Sequence, residues 1–528
     1  MLSRKAYAIF FLSVIVLAAL LRFPNLTNKG LYYHDEASFM SVGRFYGGII
    51  TYVLTNALTE HFSSASIKSK IVDLRRKGAS TLEEARPLFF AAMIAAVALF
   101  GDKDSVGLLF SAVFSLLTIL LLYVFGRSRP PRLSYVIAGL LLGVSIWDVH
   151  YSRSALTQSF ALFFVSWTVL TIISEYEKRP QRPMNIRRIA LLSGLTFNTH
   201  YSFFWIPILV ACWLAYVEWQ GTKAVNAWLR KMLVMAGFMS LSTFVFQIWY
   251  EFLYFISLRV TPTDLHRRAV FTYFEQIHNQ LSYPFGKATA PYALFLRFLY
   301  HAESPPFLIA LLLGSLYLAY TSRKSQVNAL LLLWILIPVV IWSGFRYSAP
   351  RSYLPCLFPA ILGTGMCLSR CCRYDFVTMK FNRLRDVVIV GGLVGIVWMQ
   401  SLRVLPLFDA VSPYKTASER IMHFCREHPG YKMYKPDLGV YAAPLLRYYL
   451  GEIIVEEAPP KRRLVITDHF WPLDSVPRVN GERPVLVTCV SEPLDRGMIL
   501  LDAYHWRMVE RYRHGELQDA VCVYKTPS

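Results

Sequence analysis

The sequence predicts a polytopic α-helical membrane protein of about eleven spans with a small α/β domain outside the membrane at its C-terminal end. Three observations carry this expectation. Of the 528 residues, 55% are apolar or aromatic and only 17% are charged, against about 45–50% and about 25% in soluble domains. The mean hydropathy of +0.38 comes from repeated apolar runs of about 16–22 residues, enough at 1.5 Å per residue to cross a hydrocarbon layer of about 30 Å. After about Leu405 these runs give way to short β-rich and helical segments. The same composition excludes disorder, collagen and a small disulfide scaffold.

The first run, Tyr7 to Leu21, has the basic flank of a signal peptide but no small-residue cleavage site behind it, and reads as a retained signal anchor. Spans are expected near 6–22, 105–126, 133–149, 155–173, 187–200, 202–218, 232–250, 305–321, 327–344, 353–369 and 387–403. With the N-terminus in the cytoplasm, the inner loops hold about twenty Lys and Arg, whereas the short outer turns hold about three, Arg153, Arg346 and Arg351. That asymmetry sets the orientation. Leu88–Gly101 is apolar but only about 20 Å long as a helix. If it crossed, every later basic loop would face outward, so it is expected to lie in the plane of the outer interface.

The transmembrane domain is expected over residues 1–403. It includes a long outer loop with in-plane helices, 22–104, and a second outer loop, 251–304, ending in an amphipathic stretch around Tyr292–His301. Odd crossing parity places the C-terminal domain, 404–528, on the non-cytoplasmic side. There the runs Arg463–Thr467, Pro484–Val490, Trp506–Arg511 and Ala520–Tyr524 read as strands, and Ser412–Glu427 and Gly439–Leu450 as helices. Cys425, Cys489 and Cys522 allow at most one internal disulfide there, with no basis in sequence for choosing the pair. No internal repeat is evident, which disfavours transporters built from repeated halves.

The formal charge of +21, 55 basic less 34 acidic residues, fits membrane orientation and anionic headgroups. The basic loops lack aromatic interleaving, so nucleic acid is not an expected partner. No P-loop, dinucleotide fingerprint, metalloprotease motif or paired C-x-x-C spacing is present.

Polar groups instead gather at one face. Tyr33-His34-Asp35-Glu36 follows the first span by about a dozen residues. Adjacent carboxylates cannot point the same way, so one is expected to act as a general base while the other supports it; the alternative is an acidic helix start. Asp148, His150, Tyr151 and Arg153 emerge from the third span, and Asn198, Thr199 and His200 lie where the fifth meets the sixth. Arg346, Tyr347, Arg351 and Tyr353 lie between the ninth and tenth, with Arg86 before the in-plane helix. Ionisable groups at the ends of apolar spans usually face an interior or aqueous cavity. A carboxylate among Arg and His donors suits a phosphate leaving group and an acceptor that must lose a proton. Asp148 is either part of this chemistry or a structural partner of Arg153 or His150. The outer carboxylates form no clear oxygen-ligand cluster, so neither a metal nor another cofactor is expected.

The order of these features resembles the GT-C glycosyltransferases. His34-Asp35-Glu36 is followed by Arg86-Pro87-Leu88-Phe89-Phe90, Leu99-Phe100-Gly101 and Phe110-Ser111-Ala112-Val113-Phe114-Ser115-Leu116-Leu117-Thr118, then by His150-Tyr151-Ser152-Arg153 and Arg351-Ser352-Tyr353-Leu354-Pro355. The likeness covers roughly residues 1–403. It is greatest to the branch holding protein O-mannosyltransferases and lipid A aminoarabinose transferases, although Arg86 precedes Pro87 and Leu88 where the latter have two prolines. The resemblance implies transfer of a sugar from a polyprenyl-phosphate carrier, usually with inversion, to a glycan, lipid or protein acceptor on the non-cytoplasmic face. It makes Asp35 the general base and Glu36 its supporting neighbour. Arg86, His150, Arg153, His200, Arg346 and Arg351 become candidates for the carrier phosphate, with His34, Asp148, Tyr151, Tyr347 and Tyr353 in support. The rival expectations are a transporter or flippase for lipid-linked sugars, or a scaffold. A transporter needs polar residues along a path through the bilayer, where this chain offers mainly Gln158 and Gln247.

Overall fold

The computed structural model describes residues 3–58, 62–79, 86–129, 131–260, 299–300, 302–343, 350–371, 384–435, 438, 442–455, 460–468, 484–491 and 520–526. The chain is an integral, multi-pass helical membrane protein with a small sheet near its C-terminus. Among the described residues, eight helices are long and apolar enough to cross a membrane, or nine if one bent pair counts as a single span.

The first helix shows why this is a membrane fold. In α1, Arg4–Arg22, the side chains of Tyr7, Phe11, Val14, Ala18 and Leu21 are buried. The opposite face, Ile9, Leu12, Val16 and Leu20, is equally apolar and exposed. A helix apolar all round needs hydrocarbon on the side its neighbours do not cover. Toward the protein, Tyr7 Oη donates to the carbonyls of Leu122 and Tyr123 on α6, Asp104–Arg127.

The expected long loop between these two helices is itself helical: α2 Leu26–Lys29, α3 His34–Asn56, α4 Ser64–Arg76 and α5 Pro87–Phe100. Pro87 at the first helical position sets the start of α5. The expected third span is two helices, α7 Arg132–Val144 and α8 Ile146–Ser152, bent by 60°.

A break in an embedded helix leaves backbone groups that must find partners. Here two buried charges supply them. Arg22 Nη1 donates to Gly143 O (2.8 Å) and Nη2 to Leu142 O (3.2 Å) at the end of α7. Glu303 accepts from Ile146 N (3.2 Å), Trp147 N (3.0 Å) and Ser145 Oγ (2.7 Å) at the start of α8. Each charge has the sign its helix end favours.

The bundle continues with α9 Gln158–Glu177, α10 Ile186–Phe197, α11 Trp205–Thr222, α12 Val225–Val260, α13 Pro305–Ser322, α14 Gln326–Ser343, α15 Leu357–Cys371 and α16 Leu384–Val404. α12 runs ten residues into the stretch expected as a second outer loop, most of whose remainder, with all but Leu299 and Tyr300 of the Tyr292–His301 stretch, lies outside the described residues. α10, at 12 residues, is only about 18 Å long.

Beyond α16, α17 Pro413–Glu427 and α18 Ala442–Leu450 accompany β1 Tyr431–Tyr434, β2 Ile454–Val455, β3 Arg462–Thr467, β4 Val485–Ser491 and β5 Ala520–Lys525. The strand order is β2-β1-β3-β5-β4, parallel on the β1 side and antiparallel around β5. β1 and β2 had no clear signal in the sequence, and the Trp506–Arg511 run lies outside the described residues. Cys489 faces Cys522 across β4 and β5, and the two form a disulfide.

This region is bonded to the segment just ahead of α3. Ser412 N donates to Lys29 O (2.7 Å), Ser412 Oγ to Leu31 O (2.6 Å) and Tyr32 Oη to Val411 O (2.5 Å). Tyr449 Oη accepts from Leu31 N (2.9 Å) and donates to Asp104 Oδ2 (3.1 Å), which Lys415 Nζ also meets at 3.0 Å. Gly30 sits in this seam at φ +74°, where a Cβ would lie 2.8 Å from Lys415 Cδ. Both the backbone angle and the close approach call for glycine.

Candidate active site

The seam delivers the start of α3, and with it the acidic pair. Tyr33 is the N-cap, so Asp35 and Glu36 fall in the first turn, where carboxylates suit the helix dipole. The two then part. Glu36 folds back as the third residue of a helix often does: Oε2 accepts from Tyr32 N (2.6 Å) and Tyr33 N (2.8 Å), and Oε1 from Ala155 N (2.7 Å). It is fully buried. Glu36 therefore supports Asp35 through the backbone: it fixes the turn that carries Asp35.

Asp35 turns the other way. Its Oδ2 lies 2.7 Å from Arg351 Nη2, and its Oδ1 lies 2.9 Å from His34 Nε2. Burial by itself would raise the Asp35 carboxyl. The positive charge of Arg351, then His34 and Arg86, outweighs it and holds the group well below the usual carboxylate range. The side chains of Arg351 and His34 remain 21% and 33% exposed, so this ion cluster is reachable.

Arg86 and His200 complete it. Arg86 lies over the Phe39 ring at 4.5 Å and the Tyr201 ring at 5.5 Å. Its helix is tied to the end of α10 by Leu88 N donating to Asn198 O (3.1 Å), and Asn198 Nδ2 is anchored on the carbonyls of Gly194 and Ser242. His200 is buried within the electrostatic reach of Arg86, Arg351 and Asp35. Its Nδ1 receives the Ser202 backbone N–H at 3.1 Å. Nδ1 is thus an acceptor, which puts the proton of the neutral ring on Nε2, an atom with no hydrogen-bond partner among the described residues.

Two other expected phosphate ligands, His150 and Arg153, have partners elsewhere. His150 Nε2 pairs with Tyr33 Oη at 2.7 Å, and the charges that act on it are Lys29 and Arg153. Arg153 donates to the carbonyls of Arg22 (2.9 Å), Pro24 (2.8 Å) and Leu407 (3.0 Å), while its own carbonyl receives Lys29 Nζ. It stitches chain segments together instead of facing the site. Asp148 pairs with neither Arg153 nor His150. Arg22 Nη2 and Ser115 Oγ each lie 2.6 Å from Asp148 Oδ2, in a pair wholly withdrawn from solvent. Tyr151 and Tyr353 are fully buried. Arg346 and Tyr347 lie outside the described residues.

Sequence reasoning missed Arg22, Lys29 and Glu303. The available signal was a charge at the end of an apolar run, the same signal that singled out Arg153. Among the described residues, no three His, Cys, Asp or Glu side chains gather as a set of metal ligands.

No protein-family model matches the chain. It is similar to the undecaprenyl phosphate-alpha-4-amino-4-deoxy-L-arabinose arabinosyl transferase 2 of Pseudomonas fluorescens, with 26% identity over 318 residues, 58% of this chain and 51% of that relative. The corresponding transferase of Pseudomonas paraeruginosa is 23% identical over 371 residues, 69% of this chain and 64% of that relative. The chain thus spans about half the length of the first of these relatives. Among solved structures, apo ArnT from Cupriavidus metallidurans aligns with a TM-score of 0.56 at 12% identity, covering 88% of this chain and 93% of that one. The archaeal oligosaccharyltransferase AglB from Archaeoglobus fulgidus, solved with an inhibitory peptide and a dolichol-phosphate, aligns with a TM-score of 0.50 at 12% identity, covering 84% and 64%. The chain shares the fold of these two solved proteins.

Proposed function

We propose that this protein is an integral membrane glycosyltransferase that moves a sugar from a polyprenyl-phosphate carrier to an acceptor hydroxyl, with Asp35 as general base. The carrying observation is a buried carboxylate within an ion cluster whose Arg351 and His34 side chains are part-exposed, with Arg86 and His200 in electrostatic reach. The names of the curated relatives make undecaprenyl phosphate-alpha-4-amino-4-deoxy-L-arabinose the first donor to try.

In this reaction the acceptor oxygen attacks the anomeric carbon and its proton passes to Asp35. The bond from that carbon to the phosphate oxygen breaks, and its electron pair leaves with polyprenyl phosphate, whose charge goes from −1 to −2. Arg86, Arg351 and His200 Nε2–H are positioned to meet that growing charge. Attack from the face opposite the phosphate inverts the anomeric centre. The mechanism requires no metal, so chelation with EDTA is expected to leave the rate unchanged.

The active end and the C-terminal region are assigned to the non-cytoplasmic side. The excess of Lys and Arg in the opposite loops and the Cys489–Cys522 disulfide, a bond that persists in oxidising compartments, both support that side.

The direct test is release of free polyprenyl phosphate from a panel of polyprenyl-phosphate sugars by the purified protein in a total lipid and glycan extract. Wild type should release it from at least one donor, and folded Asp35→Asn should not. A panel with no reactive donor would reject the enzymatic reading, and full activity in Asp35→Asn would reject the base.

A further inference from the structure

Asp35 and a carrier phosphate call on the same guanidinium. Both carboxylate oxygens of Asp35 are engaged by nitrogen, Oδ2 by Arg351 Nη2 at 2.7 Å and Oδ1 by His34 Nε2 at 2.9 Å. A carboxylate held in that way is a poor base, because each charge-assisted hydrogen bond favours its ionised form. Asp35 is buried at the start of a helix, whereas Arg351 retains 21% of its side-chain exposure. An arriving anion therefore meets Arg351 first. Within electrostatic reach of the pair is the buried ring of His200, whose Nε2–H has no acceptor among the described residues. Leaving such a donor unmet is unfavourable, and a phosphate oxygen would satisfy it.

Resting on the donor reading above, we propose that the Arg351–Asp35 ion pair is a latch: the carrier phosphate draws Arg351 away from Asp35, so the base becomes competent only in the donor-loaded protein. The exchange replaces one anionic partner of Arg351 by another, which keeps the guanidinium compensated throughout. His34, Arg86 and His200 remain around the site in both states. The consequence is an order of events. The acceptor is not deprotonated until the sugar it will attack is in place.

The latch makes a prediction that a simple loss of charge does not. Binding of undecaprenyl phosphate, the carrier without its sugar, is measured on the purified full chain in nanodiscs for wild type, Asp35→Asn, Arg351→Ala and the double variant. Thermal unfolding and size exclusion of each serve as controls for folding. Asp35→Asn should bind the carrier about ten-fold more tightly, within the usual range of a coupling between sites, and Arg351→Ala more weakly. In the Arg351→Ala background, Asp35→Asn should gain little. Arg351→Lys, which keeps the charge without the planar fork, should show an intermediate gain and covers the case in which Arg351→Ala does not fold.

An equal gain in both backgrounds would mean that removing a negative charge merely helps any anion, and the latch fails. No gain in either background also overturns it. If the carrier binds and sugar is transferred without this coupling, only the latch falls. If wild type and Asp35→Asn both fail to bind the carrier at all, the latch and the donor reading fall together.

Discussion

Two buried carboxylates, Asp35 and Asp148, each pair with an arginine at nearly the same distance, 2.7 Å to Arg351 and 2.6 Å to Arg22. Their surroundings differ. Arg22 also bonds the carbonyls of Ala18, Leu142 and Gly143 and the Ser115 hydroxyl, and neither partner reaches solvent. That pair closes a broken helix. The Asp35 pair joins the start of α3 to Arg351, just ahead of α15, with His34 and Arg351 part-exposed. An ion pair bound into backbone carbonyls is structural; one whose cation stays reachable can change partner. The comparison also explains why counting charges at span ends could not by itself separate scaffold from site.

Neutralising each aspartate breaks the comparison most sharply. Asp35→Asn should lower transfer about 10²–10⁴-fold, the usual worth of a positioned general base, while the protein stays folded. Asp148→Asn leaves Arg22 buried without its counter-ion, a loss of about 3–5 kcal/mol, and should appear as lower yield and a lower unfolding temperature. Rates per folded molecule and thermal unfolding in detergent separate the two. Loss of stability in Asp35→Asn equal to that in Asp148→Asn would erase the distinction.

The two arginines from the motifs give the next test. Arg153→Ala removes donors to three carbonyls that link α1, α8 and the stretch after α16. Each such bond contributes about 1 kcal/mol or somewhat more when charged, so the variant should lose stability by roughly 2–4 kcal/mol. Its surviving folded fraction should keep the carrier affinity of wild type. Arg351→Ala should do the reverse. Carrier binding and unfolding measured on the same preparations decide it, and weakened carrier binding in folded Arg153→Ala would return Arg153 to the site.

Much of this was legible in sequence because it is local. Hydropathy located the long apolar helices, short β-rich runs located β3, β4 and β5, and a carboxylate pair after the first span singled out Asp35. What was hidden depends on partners far away in the chain. Glu36 is indistinguishable from Asp35 until its carboxylate is seen to reach Ala155 N. The break at Ser145 carries no proline, and it is tolerated because Arg22 and Glu303, more than a hundred residues away on either side, cap its ends. β1 and β2 are too short for periodicity to show.

A smaller effect sharpens the role of the C-terminal region. Tyr449→Phe removes the hydroxyl that receives Leu31 N and reaches Asp104, a loss of about 1 kcal/mol. Hydrogen exchange should quicken at Leu31–Tyr33 while α1 is unaffected. The rate of transfer should fall a few-fold, with carrier affinity little changed, because the bonds removed lie at Leu31 and Asp104 and not at the Arg351–Asp35 pair. Unchanged exchange at Leu31 would mean that the seam does not hold the turn ahead of Asp35.

The subtlest expectation concerns pH. In the unloaded protein Arg351, His34 and Arg86 overcome burial and hold the Asp35 carboxyl well below the usual range. A group with a depressed native pKa adds stability above its unfolded value, near 3.9, and that contribution disappears only as pH falls through the native value. Asp35 should therefore stay ionised in the free protein throughout the physiological range. If the phosphate takes Arg351 and brings its own negative charge, the carboxyl must rise in the loaded state. The acidic limb of kcat, which reports the loaded complex, should then lie at higher pH than the acidic limb of kcat/KM for the donor, which reports the free protein. Coincident limbs would mean that Asp35 has the same partners before and after the donor binds, and the likeness between its ion pair and that of Asp148 would then run deeper than their surroundings suggest.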